Sequence, residues 1–488
     1  MVHEVSELST TTTAPTVQRR LSARERWVAI LEKYVVGRSR PANDRYWMPE
    51  FETASRSEIE EMQREKLVAL LPYLYEHSAF YHDKLSAAKL RPSDIKSLAD
   101  LVKIPITTKQ DMGRNVAAHP PWGSYSPLSD ADWRQRGWYV FTTSGTTAAP
   151  RPVRMTHLDR RAWSLTAART NYAQGVRASD VALTCTTYSP HVFFWGTHLG
   201  VETLGGKVIP GGVPTQRRVL FIEMFKPTVL VATPSYALHL AQAMREQGLD
   251  PRKSSVKKLL CAGEPASGIP ATRHRIEETW DAELHDYYGC TELAQAGWAH
   301  TCAEGVKLDV VSDHLPEDLG IWETVDPDTM EPVPYGERGL TVLTSLASEG
   351  SPQLRFLVGD FTVIDHERCV CARTLARARG GCVGRADDML TVRGLNLFPS
   401  ALEEIIRGFE ELADEFQIVL ERRGALDELI VIAETRVTGA EDSERLARLI
   451  AEEVHRQCEL RPQVKLVDPG TLPKTEFKAR RVFDRRTA

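Results

Sequence analysis

Residues 228–261 read TVLVATPSYALHLAQAMREQGLDPRKSSVKKLLC. Thr228–Ala232 is a short apolar run, Tyr236–Gln247 carries apolar residues at helical spacing, and Val256–Cys261 returns to an apolar run. Strand, helix and strand in this order predict a layered α/β core with parallel strands. The same alternation extends over residues 130–345. The second run continues as Leu260-Cys261-Ala262-Gly263-Glu264-Pro265, a strand ending in a Gly-Glu-Pro turn. The carboxyl end of a parallel strand is where α/β proteins place ligands.

The chain has 488 residues. At about 150 residues per domain, that is room for roughly three domain-sized units. Sixty-one Lys+Arg against 66 Asp+Glu leave a net charge of -5, with no basic footprint for nucleic acid. Eight cysteines are too few for a disulfide scaffold. No apolar run reaches the roughly 18 residues of a membrane span. The N-terminus has no basic-then-apolar signal pattern; residues 1–20, with the Ser9–Thr13 run, read as a disordered tail. A cytoplasmic location is expected. Ser57 and Glu60 fit a capping box, followed by Ile59, Met62, Leu67, Leu70, Leu71 and Leu74 at helical spacing. Toward the C-terminus the pattern changes. Leu402–Phe409 and Ser443–Gln457 read as helices, and Glu415–Glu421, Leu429–Glu434 and Val464–Val467 as strands. The expected division is therefore a large domain over residues 21–385 and a small α+β unit over 386–488.

Five further segments bear on chemistry. Phe141-Thr142-Thr143-Ser144-Gly145-Thr146-Thr147-Ala148-Ala149-Pro150 gathers hydroxyls around a glycine, a backbone that an anion can approach closely. It lacks the Gly-Lys-Ser/Thr of a P-loop kinase. Asp286-Tyr287-Tyr288-Gly289-Cys290-Thr291-Glu292 offers tyrosines that can stack on a base and a carboxylate suited to a hard cation. Asp360 ends an apolar strand, where it can accept hydrogen bonds from a ribose diol. Gly384-Arg385-Ala386-Asp387-Asp388 follows, and the chain closes on Leu472-Pro473-Lys474-Thr475-Glu476-Phe477-Lys478-Ala479-Arg480-Arg481.

In this order the segments resemble the adenylate-forming superfamily, and within it the phenylacetate–CoA ligase family. Ser55-Arg56-Ser57-Glu58-Ile59, His77-Ser78-Ala79-Phe80-Tyr81, Ile104-Pro105-Ile106-Thr107-Thr108-Lys109 and Arg393-Gly394-Leu395-Asn396-Leu397-Phe398-Pro399 are similar to that family as well. The resemblance runs from about Ser55 to Val482.

The resemblance implies an enzyme that activates an aromatic carboxylic acid with ATP and releases pyrophosphate. It then passes the acyl group from the adenylate to the thiol of coenzyme A. The loop Thr143, Ser144, Gly145, Thr146 and Thr147 would hold the β- and γ-phosphates. Thr291 would contact the α-phosphate, and Glu292 would hold Mg²⁺. Gly263, Glu264 and Pro265, with Asp286, Tyr288 and Gly289, would frame adenine; Asp360 and Arg385 would hold the ribose. Lys478 would bridge carboxylate and α-phosphate, delivered by the C-terminal unit acting as a lid that turns about Asp387. Tyr188 and Phe193 match positions that line the aromatic-acid site, and bulk at Phe194 and Trp195 implies a changed substrate outline. Relatives also carry a structural zinc site. Here Cys302, Cys369 and Cys371 would supply three ligands and Cys382 the fourth, with His314 or His300 as alternates; four thiolates suit tetrahedral zinc. Relatives are often dimers.

Three positions depart from the family pattern: Ala148 in the phosphate loop with Arg151-Pro152 after it, Val358 before Gly359-Asp360, and Phe477 before the lysine. None removes a group the mechanism needs, and Lys474 is a fallback cation. Two other readings remain open at this point. One is an aryl-AMP ligase that loads a carrier-protein phosphopantetheine thiol; the other is a non-catalytic nucleotide-binding relative.

Overall fold

The computed structural model describes residues 21–486 apart from 37–44, 144–149, 187, 189–191, 213, 267, 293–297, 382–383, 394, 424–425 and 474–478. Its centre is a sheet of 12 strands. One half is parallel, in the order Lys207–Pro210, Val181–Thr184, Val229–Ala232, Lys258–Ala262 and Glu283–Tyr288. The other half is antiparallel, continuing through Ala299–His300, Ser312–His314, Arg377–Arg379, Phe356–Asp365, Arg338–Ser345 and Gly320–Val325. Gly384–Arg385 pairs off the Phe356–Asp365 strand.

The opening stretch shows why the parallel half forms. Val229 and Val231 pack with Trp163, Phe194 and Leu199 on one face. Leu230 and Ala232 pack with Val219, Tyr236, Leu240, Ile276 and Trp280 on the other. Strands covered by helices on both faces need apolar residues at every position, so the run has no polar alternation. The helix between the strands spans Pro234–Glu246, capped by the Thr233 hydroxyl at the Tyr236 amide.

The N-terminal helix runs Arg56–His77, and its cap differs from the sequence expectation. Ser55, not Ser57, is the cap: its hydroxyl accepts from the Glu58 amide at 3.3 Å, and Glu58 takes the Ser55 amide at 2.7 Å. Glu60 instead pairs with Arg56 at 3.2 Å. Two overlapping Ser-x-x-Glu boxes stand in the sequence, and the chain uses the earlier. Pro72 lies inside this helix, where a proline removes a backbone bond. Buried Leu70, Leu71, Tyr73 and Leu74 around it hold the helix through that gap.

From Leu390 onward the chain packs into a separate core around Leu402, Ile405, Ile418, Val431, Leu446, Ile450 and Val454. Four strands order as Gln463–Val467, Leu426–Thr435, Leu412–Arg423 and Val482–Asp484, with helices Pro399–Arg407 and Ala440–Cys458. The last strand, parallel to Leu412–Arg423, has no counterpart in the sequence reading. Among the described residues no helix is long and apolar enough to cross a membrane.

Candidate active site

Among the described residues, several of the segments singled out above meet one another. Strands Gly137–Thr142 and Pro152–Thr156 pair antiparallel and present the hydroxyl-rich loop between them. Ser144, Gly145, Thr146 and Thr147 lie outside the described residues. Thr143 closes the base of the loop: its amide donates to Arg151 O at 3.1 Å, and its hydroxyl accepts from the Arg151 amide at 3.0 Å. The Arg151 guanidinium then reaches across to Glu292, Nη2 to Oε1 at 2.5 Å. Only 17% of the Arg151 side chain and 7% of the Glu292 side chain are exposed. The departure noted at Arg151 therefore places a cation against the carboxylate assigned to Mg²⁺. A carboxylate oxygen is the hard donor that such an ion takes.

Strand register brings together the two residues expected to hold the ribose. Asp360 stands opposite Arg385, with the Arg385 Nε 3.6 Å from Asp360 Oδ1. The Tyr288 hydroxyl donates to Asp360 Oδ2 at 2.9 Å. Burial pushes the Asp360 carboxyl above its ordinary value, while Arg385, the Tyr288 hydrogen bond and Lys109 pull the other way. Lys109 belongs to a motif quoted above without a role. A Cβ on Gly359, whose φ is +85°, would lie 3.5 Å from the Lys109 Nζ, so the ammonium borders the turn at Gly359-Asp360.

The adenine-side residues divide. Gly263 takes φ +87°, which turns the chain sharply after the Lys258–Ala262 strand. Gly289 lies under Trp298, whose Cδ1 would meet an added Cβ at 3.2 Å. The Glu264 carboxylate faces neighbouring protein: it accepts from the Ser235 amide at 2.9 Å, the Ser235 hydroxyl at 2.8 Å and the Ala479 amide at 2.6 Å. Asp286 is buried inside its strand. There its charge, after burial itself, helps push Asp313 upward. Lys478 lies outside the described residues. Asp387 sits in the turn Ala386–Asp388, immediately after the Gly384–Arg385 strand.

On the acyl side, Tyr188 follows the Val181–Thr184 strand. Its hydroxyl lies 3.0 Å from His198 Nδ1 and 3.2 Å from Thr184 Oγ1. Trp195 donates from Nε1 to Tyr188 O at 2.7 Å and meets its ring edge-on at 5.3 Å. Phe193 opens the helix Phe193–Thr203. Trp138, Tyr139 and Phe141 extend the aromatic wall, each within 6.3 Å of the Trp195 ring. The sequence reading missed these three and His198. Phe194 is fully buried in the same cluster as Phe141, and Trp195 packs against that cluster.

A second constellation lies apart from the nucleotide residues. Cys302, His314, Cys369 and Cys371 bring their ligand atoms within 4.8 Å of one another, all buried. Cys302 and Cys369 sulfurs are 3.7 Å apart, and Cys371 Sγ is 3.3 Å from His314 Nε2. Zinc–sulfur bonds of about 2.3 Å at tetrahedral angles require sulfurs about 3.8 Å apart. A disulfide requires about 2.05 Å. The spacing fits a tetrahedral ion. His314, an alternate in the sequence reading, supplies the fourth group; Cys382 lies outside the described residues. His300 is turned away toward Thr170 and Trp298 O.

Residues 76–345 match the AMP-binding enzyme family model, and residues 394–486 match that of the AMP-binding enzyme C-terminal domain. The chain belongs to the AMP-binding enzyme family. The AMP-binding enzyme is 34% identical over 465 residues to a phenylacetate-coenzyme A ligase of Thermus thermophilus, covering 90% of this chain and 99% of that one. It superposes on a 2-hydroxyisobutyryl-CoA ligase in the postadenylation state with a TM-score of 0.85, at 32% identity, over 92% of this chain and 94% of that one. Against the same ligase in the thioesterification state, at the same identity and coverage, the TM-score is 0.68. The enzyme is an AMP-forming acid–thiol ligase that uses ATP and coenzyme A, which removes the non-catalytic reading.

Proposed function

We propose that this enzyme activates an aromatic carboxylic acid as its acyl-adenylate and transfers the acyl group to coenzyme A. The aromatic wall beside Tyr188 carries the reading. A flat ring beside the partly buried Tyr139, Tyr188 and Trp195, with Phe141 buried behind them, would gain edge and face contacts beyond simple burial. The wall's own rings stand 4.6–6.3 Å apart, packed against one another as a firm backing. The relatives named above support the ligase chemistry.

The chemical difficulty is that a carboxylate must attack a polyphosphate. Thr143 and the loop it anchors, with Thr291, offer donors for phosphoryl oxygens. Glu292 holds Mg²⁺, which when bound neutralises phosphate charge. Arg151 is the counter-charge of Glu292 before nucleotide arrives. Asp360 and Arg385 orient the ribose, and Lys478 bridges the acyl carboxylate and the α-phosphate. Glu264 bears on the site through the lid rather than through a base. Cys302, His314, Cys369 and Cys371 hold zinc in a purely structural role. The lid pose in this structure corresponds to the postadenylation arrangement, in keeping with the higher of the two TM-scores.

A second substrate reading has its own support. The Tyr188 hydroxyl, His198 and Thr184 form a polar trio within the aromatic wall, able to meet a hydroxyl on a small branched acid. ATP–pyrophosphate exchange with phenylacetate, substituted benzoates and 2-hydroxyisobutyrate, each with and without coenzyme A, separates the readings. Exchange confined to the aryl acids supports the proposal, and exchange confined to the hydroxy acid overturns it. Adenylation without coenzyme A thioester points to a carrier-protein acceptor.

A further inference from the structure

The body and the lid meet through carboxylates contributed from both sides. The body helix Pro270–Trp280 begins at Ile269, which offers no side-chain cap, and its first turn has no acidic residue. Its early amides would otherwise be orphaned. The lid supplies what is missing: Ala271 N–H donates to Glu404 Oε2 at 3.0 Å, and Thr272 Oγ1 to Glu403 Oε1 at 3.2 Å. In return the body's Glu264 Oε1 accepts the lid's Ala479 N–H at 2.6 Å. Arg275, one turn along the body helix, adds an ion pair to Asp414 at 2.8 Å and a hydrogen bond to Leu412 O at 2.9 Å.

We propose that these crossed carboxylate–amide bonds form a latch selecting the lid pose in which adenylation occurs, with Glu404 and Glu264 as its positioning residues. The inference rests on the functional reading above. A carboxylate at a helix N-terminus gains from both the free amides and the helix dipole. Because this cap comes from the other unit, the helix end is satisfied in this way only while the lid is docked. Turning the lid breaks both bonds together, returns Glu404 and the two amides to water and leaves Glu264 on Ser235. Each bond is then worth only its net value over hydration, which suits a lid that must release for the second half-reaction. Glu264 stays aimed when the lid leaves, because Ser235 holds it from within the body. Ala479 follows Lys478 in the chain, so the bond fixes the backbone beside the lysine assigned to catalysis.

The test compares the two half-reactions in the full-length enzyme carrying Glu404→Ala or Glu404→Gln. Loss of a helix cap corresponds to roughly a five- to tenfold change in the docking equilibrium. Glu404→Ala is expected to slow pyrophosphate exchange about five- to tenfold while thioester formation from supplied acyl-adenylate keeps its rate or gains. Glu404→Gln, which still accepts a hydrogen bond, is expected to fall between. Hydrogen exchange of the segment 270–275 is expected to quicken in both variants without any turnover. Arg275→Ala approaches the interface from the body side and should shift the two half-reactions in the same directions. Equal loss in both half-reactions, or no change in either while wild type exchanges pyrophosphate, overturns the latch. Wild type that exchanges pyrophosphate with no acid overturns the functional reading instead.

Discussion

Replacing Arg151 by Met keeps most of the aliphatic stem and removes the charge facing Glu292. In the wild type the two groups meet at 2.5 Å with 17% and 7% of their side chains exposed. Unit charges about 4 Å apart at an effective dielectric near 20 attract by about 4 kcal/mol. Partial exposure of the arginine lowers this to roughly 2–4 kcal/mol, near the cost of leaving one partner of a buried pair alone. Arg151→Met should therefore lower the melting temperature by several degrees, at about 2 °C or more per kcal/mol. If Glu292 is the Mg²⁺ ligand, the ion should restore more stability in Arg151→Met than in wild type, because it no longer competes with a guanidinium. Thermal unfolding across a Mg²⁺ titration measures both effects. A variant as stable as wild type without metal, or one that gains no more than wild type from Mg²⁺, would refute this account of Arg151.

Zinc should be present at about one per chain by elemental analysis, and His314→Ala or Cys371→Ser should lose it together with thermal stability; purified wild type free of zinc ends the assignment. Tyr188→Phe leaves His198 Nδ1 and Thr184 Oγ1 without the shared hydroxyl, and the ratio of kcat/KM for a plain aryl acid over a hydroxy acid should rise about tenfold; an unchanged ratio removes Tyr188 from acid selection. Burial lowers the fully buried Lys66 to about 8 from 10.5, so between these values the unfolded chain binds the proton more strongly. Wild-type stability should thus rise from pH 8 to pH 10 by up to about 3 kcal/mol. Lys66→Met should be flat over that window in urea unfolding, and parallel curves for the two proteins would contradict the burial effect. Burial raises the Asp360 carboxyl, so its pairing with Arg385 is lost at a higher pH than for an ordinary Asp. The KM for ATP should therefore climb on acidification sooner in wild type than in Asp360→Asn, and identical profiles would show that Asp360 does not face the ribose.

What could be read from the chain alone was whatever depends on residues close in sequence. The run at 228–232 is apolar at every position because both its faces are covered, and the order of the loops follows from the order of the strands. His314 was harder to place. It stands well separated from both Cys302 and Cys371 in the chain, and strand pairing of Ser312–His314 with Arg377–Arg379 brings it to the thiols. Glu264 carried an adenine-framing assignment from its motif, yet nothing near it in sequence announces Ser235 or Ala479. Glu404 lies in an amphipathic helix where an acidic residue reads as a solvated face; only docking of the two units turns it into a cap. The early cap at Ser55 was obscured for a local reason, because two boxes overlap and composition does not choose between them.

The pairing of Asp360 with Arg385 also has a mechanical meaning. If Asp360 and Arg385 hold the ribose as proposed, the gripping residues are cross-strand neighbours, and the turn bearing Asp387 begins at the next residue after Arg385. A nucleotide seated there would clamp the last strand of the body before the turn at Asp387. On that proposal the lid would swing as a lever whose fulcrum is tightened by its own substrate, and release of AMP would slacken the pivot at the moment the cycle needs to reset.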